Sequence, residues 1–91
     1  MTTLRISDFQ IGDRVEVVDY ELQERKDLYL HQLGTVAGFD GEMVVVEHDD
    51  GSIPGLDSCN GIVKSGRGWF YYSVELEIIA PDNPAPVDDL L

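Results

Sequence analysis

Residues 33–48, "LGTVAGFDGEMVVVEH", constrain the fold more than any other part of the chain, because they set an Asp-Gly pair between two strand-like runs. Both Asp40 and Gly41 tolerate the positive φ of a tight turn, and such a pair between apolar runs is a strong short-range signal for a β-hairpin. The return strand alternates: Val44 and Val46 point one way, and Met43, Val45 and Glu47 the other. A second turn is expected at Asp49, Asp50 and Gly51. Every glycine and acid of the stretch thus finds its reason in a strand–turn–strand unit rather than in a ligand.

The flanking segments supply further strands. In "IGDRVEVVDY", Val15 and Val17 share one face and Arg14, Glu16 and Val18 the other, with Gly12-Asp13 as the turn leading in. Residues 20–32, "YELQERKDLYLHQ", fit neither the helical nor the strand period, so a long loop with room for one helical turn is expected. Residues 52–68, "SIPGLDSCNGIVKSGRG", form a glycine-rich excursion. It is longer than the ~12–15 residues usual for an unstructured connection, and connections of that length are often functional. Asn60-Gly61 gives it the turn signal of a small hairpin of its own. "GWFYYSVELEII" then reads as an aromatic strand, a short 3₁₀ turn and a last brief strand at 77–79. From Pro81 the sequence "PDNPAPVDDLL" holds three of the four prolines and no base, which predicts an extended or disordered acidic tail. The domain is therefore placed at 1–80 and the tail at 81–91.

Five short strands in this order resemble a Src-homology-3-like small β-barrel. The likeness rests on "GDRV" at 12–15, "GTV" at 34–36, "EMVVVEH" at 42–48, "WFYY" at 69–72 and "LEII" at 76–79, and it covers about residues 11–79. "LGTVAGF" is also similar to a KOW motif, in which a glycine and a valine open a barrel strand. The resemblance implies an all-β, five-stranded barrel with a long loop after the first strand. It leaves function open, because this superfold hosts peptide readers, ribosome and RNA-polymerase factors, chromatin readers and enzyme accessory domains. The chain departs from the nucleic-acid-binding members, whose barrels are usually basic, and it lacks the "ALYDY" start of the readers of proline-rich peptides.

Charge narrows the choice. The 91 residues carry 18 acids against 6 bases, a formal charge of −12, and such a field repels phosphate backbones and anionic membranes. Direct nucleic-acid binding is therefore disfavoured, although an acidic surface can itself imitate nucleic acid. No apolar run nears the ~20 residues that span a bilayer, and no signal-peptide core opens the chain. One cysteine allows no internal disulfide, which makes the reducing cytoplasm the expected compartment.

Catalytic and metal chemistry find little footing. Glu47, Asp49, Asp50 and Asp57, with His48 and Ser52, lack the order of a calcium loop and read as turn residues. Cys59 with His31 or His48 has neither an oxyanion nest nor a helix N-terminus beside it. No catalytic residue, metal or cofactor is expected, and the chain is read as a non-enzyme.

The aromatic strand is the better candidate. Alternation sends one of the pairs Trp69/Tyr71 and Phe70/Tyr72 inward and leaves the other on a face or rim, where rigid amphipathic rings anchor partners. The candidate surface comprises Trp69, Tyr71 and Tyr72 with Arg67 and, from the excursion, Ile53 and Leu56. A second candidate is the tail motif of Asp88, Asp89, Leu90 and Leu91, which resembles acidic-apolar segments that dock in basic-rimmed grooves. The expectation is a non-enzymatic protein-interaction module or small accessory regulator, a monomer or weak oligomer whose partner is a protein, a basic surface suiting its charge. The alternatives are an acidic nucleic-acid mimic of the viral inhibitor type and an accessory domain of an enzyme complex.

Overall fold

The computed structural model describes residues 4–80; the tail motif at 88–91 lies outside the described residues. Five strands, β1 (Arg14–Val17), β2 (Leu33–Asp40), β3 (Met43–His48), β4 (Gly68–Tyr71) and β5 (Leu76–Ala80), form one antiparallel sheet in the order β4-β3-β2-β1-β5. One α-helix, α1 (Gln23–Tyr29), is found among the described residues, with 3₁₀ turns at Ile6–Asp8 and Ser73–Glu75.

The hairpin forms where the sequence places it, one residue later in register. Asp40 pairs with Met43, so the turn is Gly41-Glu42, and of these only Gly41 takes a positive φ, +60°. A glycine leading a two-residue turn gives the strands the twist they need. Alternation assigns the faces: Val15, Val17, Val36, Val44, Val46, Tyr71 and Leu76 point into one core with Phe9, Tyr20, Tyr29 and Ile53.

β4 and β5 follow one another in sequence yet lie on opposite edges of the sheet. Laid flat, five strands would hold those edges ~19 Å apart. The connection from Tyr71 to Leu76 contains a 3₁₀ turn and reaches only about 13 Å. The sheet must therefore curl. β4 pairs with β3 and β5 with β1, and no ladder joins β4 to β5. The expected five antiparallel strands are present as a curled, open sheet, and the sheet is not closed as the expected barrel would be.

Two expectations need correction. The loop at 20–32 contains a seven-residue helix. Gln, Glu, Arg, Lys and Leu are good helix formers, and the anchor is a single residue, fully buried Tyr29, so no hydrophobic period is needed. The excursion makes no hairpin at Asn60-Gly61. Cys59, Asn60 and Gly61 instead take φ of 54°, 61° and 88°, a left-handed turn closed by the Gly61 and Val63 amides donating to the Ser58 carbonyl. Asp57 and Gly68 exchange both backbone hydrogen bonds at 2.8 Å, which ties off the loop.

Candidate interaction groove

The aromatic strand divides its residues between core and surface. Trp69 is half-buried; its indole N–H donates to the Tyr20 hydroxyl at 2.8 Å and its ring stacks on Tyr29 at 5.8 Å and 18°. Tyr71 is wholly buried and its hydroxyl is hydrogen-bonded to His48 Nε2 at 2.7 Å. The expectation of an exposed Tyr71 is thereby overturned. Register gives the reason: Tyr71 pairs with Val44 and Trp69 with Val46, so both share the inward face of the valines. Ile53 is buried too, and Leu56 packs partly buried on the same core. The structure thus brings Ile53, Leu56, Trp69 and Tyr71 together, but as the lid and wall of the core. Arg67 lies elsewhere, over the Asp50-Gly51 turn, where a Cβ at Gly51 would meet its side chain.

Tyr72 is the member of the set that remains outside, 40% exposed, followed by Val74 at 57%. Both line an open groove of about 510 Å³ with Leu4, Ile6 and Ser73, flanked by Arg5 and Glu42. The groove joins the N-terminal 3₁₀ turn to the one between β4 and β5. Ser73 Oγ donates to the Leu4 carbonyl at 2.9 Å, which fixes the two walls to each other.

Glu75 braces the turn that carries Tyr72 and Val74. Glu75 is 4% exposed, and its carboxylate accepts the Tyr72 amide at Oε1 and the Glu21 amide at Oε2, both at 2.8 Å. Its carbonyl accepts the amides of Val18 and Asp19. Burial raises the Glu75 pKa above the ordinary carboxylate value, and the two amide hydrogen bonds oppose the rise. A single side chain therefore couples the 3₁₀ turn to the segment between β1 and α1.

Sequence reasoning missed His48 and Glu75 as buried groups. His48 carries the signal in the alternation of 44, 46 and 48, which its acidic neighbours mask. Glu75 stands three residues after Tyr72, the spacing at which a glutamate returns to the amide that opens a helical turn.

The remaining candidates do not assemble. His31 is bonded through Nδ1 to Glu16 at 2.7 Å, and His48 to Tyr71. Cys59 is buried, and burial first, then Asp57 and Asp40, push its thiol up to about 11, which leaves it protonated at neutral pH. Among the described residues no three His, Cys, Asp or Glu side chains converge as a metal site, and no helix is long and apolar enough to cross a membrane. Asp49 is held by Arg14, whose guanidinium donates through Nη1 to Oδ1 at 2.7 Å and through Nη2 to Oδ2 at 2.5 Å. That hydrogen bonding lowers the Asp49 pKa.

Comparison with protein-family models, with curated proteins and with solved structures finds no match to this chain.

Proposed function

We propose that this domain is a non-enzymatic interaction module that grips a protein partner through the groove beside the 3₁₀ turn Ser73–Glu75. The observation that carries the reading is the joint exposure of Tyr72 and Val74, 40% and 57%, over a groove walled by Leu4 and Ile6. A tyrosine offers a large apolar face and a hydroxyl with few rotatable bonds, which is why such rings recur as interface anchors. The formal charge of −12 suits a partner with a basic surface, charge speeding encounter while the apolar grip slows release.

Affinity capture from the native host tests the reading, with wild type, Y72A and V74S as baits at ~0.15 M salt and at several-fold higher salt. The same partner should be held by the wild type at both salt levels and lost from Y72A. A partner retained equally by all three proteins would refute the groove as the grip.

A second reading is an acidic nucleic-acid mimic. It is favoured by the outer face of the sheet, where Glu16 stands directly opposite Glu77 across the β1–β5 ladder and Glu47 lies two strands over. Like charges in register destabilise a sheet, so a partner that neutralises them would supply a reason for keeping them. A mimic loses its partner steeply with added salt and competes with DNA for it. A third reading, an accessory domain of an enzyme complex, differs in what the captured partner is. The cytoplasm remains the compartment proposed.

The curl of the sheet is proposed to be that of a Src-homology-3-like barrel. The strand order and the short 3₁₀ link between β4 and β5 support this. Proton–proton contacts between β4 and β5 in solution would test it.

A further inference from the structure

His48 ends β3 in step with Val44 and Val46, and only 1% of its surface reaches solvent. Its Nε2 is engaged by the Tyr71 hydroxyl, while Nδ1 has no hydrogen-bond partner. Tyr29 stacks on the imidazole at 6.4 Å and 25°, and Trp69 stacks on Tyr29 at 5.8 Å and 18°. Tyr29 is the buried residue of α1; its hydroxyl accepts from Arg25 and donates to the Pro54 carbonyl. The His48 ring is thus the base of an aromatic stack that holds α1 and the segment 53–56 and ends on the chain's single tryptophan.

We propose that His48 is an acid-triggered latch: proton uptake by its ring releases the Tyr29–Trp69 stack, and with it α1 and residues 53–56, while the strands stay paired.

A neutral imidazole sits in this place at modest cost. An imidazolium puts a full charge among tyrosine rings and valines, and makes both ring nitrogens donors. Nε2–H then takes the Tyr71 oxygen as acceptor, and the Tyr71 proton must find another acceptor in an apolar surrounding. The groups that face the ring decide whether this cost is met. β4 offers the Tyr71 hydroxyl, and Arg67, just before that strand, a carbonyl that accepts the His48 amide. α1 offers Tyr29 with the Arg25 guanidinium on its hydroxyl, a second positive charge. β2 offers the Leu33 carbonyl, which favours the cation while also accepting the Asp49 amide. The two acids that follow it in the chain, Asp49 and Asp50, favour the cation, but Asp49 is engaged by Arg14 and Asp50 by Ser52.

Burial outweighs these attractions and lowers the His48 pKa below its ordinary value. A histidine whose folded pKa is depressed contributes stability that is full above the ordinary histidine range. That stability is lost as pH falls through the unfolded value toward the folded one. The loss falls on what the ring holds by stacking alone. The ladders of β1 to β5 are backbone hydrogen bonds, which do not titrate, whereas residues 53–56 have no ladder partner and first regain one at Asp57.

Trp69 is the reporter. From roughly pH 8 to pH 4, across the range where histidine titrates, its emission should shift to the red while the far-ultraviolet circular dichroism of the sheet holds. In the wild-type nuclear magnetic resonance spectrum, the His48 ring and the Trp69 indole N–H should titrate with a common midpoint. In H48F, which keeps an aromatic ring and removes the titrating nitrogens, that transition should vanish or move into the carboxylate range. Fluorescence and circular dichroism changing together would overturn the proposal, as would His48 titrating while Trp69 stays still, or H48F keeping the wild-type midpoint. Should H48F fail to fold, the wild-type spectra alone decide.

Discussion

Tyr71 and Tyr72 are neighbours in the chain, and the fold gives them opposite consequences on mutation. Y71F removes the hydroxyl that satisfies His48 Nε2 inside the core, and leaving a buried ring nitrogen unpaired costs about 1–3 kcal/mol. Y72F changes an exposed side chain and should shift stability by less than ~0.5 kcal/mol. Urea unfolding of the two variants checks both figures. E75A strips acceptors from the amides of Tyr72 and Glu21 and should cost about 1–3 kcal/mol. Hydrogen exchange should quicken at both amides together, since one carboxylate serves the two. The Arg14–Asp49 pair is shorter but half-exposed, its side chains 35% and 49% accessible. D49N should therefore cost at most ~1 kcal/mol. What that pair contributes is present above the ordinary aspartate value and lost as pH falls through the lowered one. The contrast between Tyr71 and Tyr72 is not visible in "FYYSVE" read alone, because alternation says that the two tyrosines differ and does not say which one is inside.

At the scale of elements, the segment 57–67 is a cover for the outer face of β2, β3 and β4. Gly38, Val45 and Phe70 form one row across three strands, and a Cβ on Gly38 would meet Ile62 at 3.0 Å. Val45 is accordingly buried although it faces away from the main core. Cys59 is buried in the same cover, so a thiol reagent should leave it unmodified in the native protein and modify it at once in denaturant. Modification in buffer at the rate of a free thiol would mean that this cover opens. On the opposite side of the hairpin, a Cβ on Gly34 would stand 2.5 Å from Val46 Cγ1 and 2.6 Å from the Glu47 carbonyl oxygen. G34A should therefore destabilise by about 1–3 kcal/mol, measured by urea midpoint, because the obstruction includes backbone that cannot rotate away. The sequence marked this hairpin well, since turn chemistry and period are local. It marked α1 poorly, because Tyr29 becomes an anchor only when Tyr20, His48 and Trp69 from three other segments meet it.

For the whole molecule, a formal charge of −12 on 91 residues spreads self-repulsion over the entire surface. Raising salt from ~0.01 to ~0.15 M shortens the Debye length from ~30 to ~8 Å. The thermal midpoint should rise accordingly, and the rise should level off once neighbouring carboxylates are screened; a midpoint that falls with salt would instead mean that the few ion pairs outweigh the repulsion. The sequence by itself determined the strands, the hairpin, the 3₁₀ turn before β5 and the sign of the electrostatic field. Each of these follows from residues within a few positions of one another or from a sum over the chain. Only the tertiary structure decided that the sheet curls without closing, that His48 and Glu75 are buried, and that Trp69 and Tyr71 line the core while Tyr72 stands at a groove. These depend on which face of each strand meets segments up to 69 residues away, as when Ser73 bonds Leu4, and local period carries no information about that meeting.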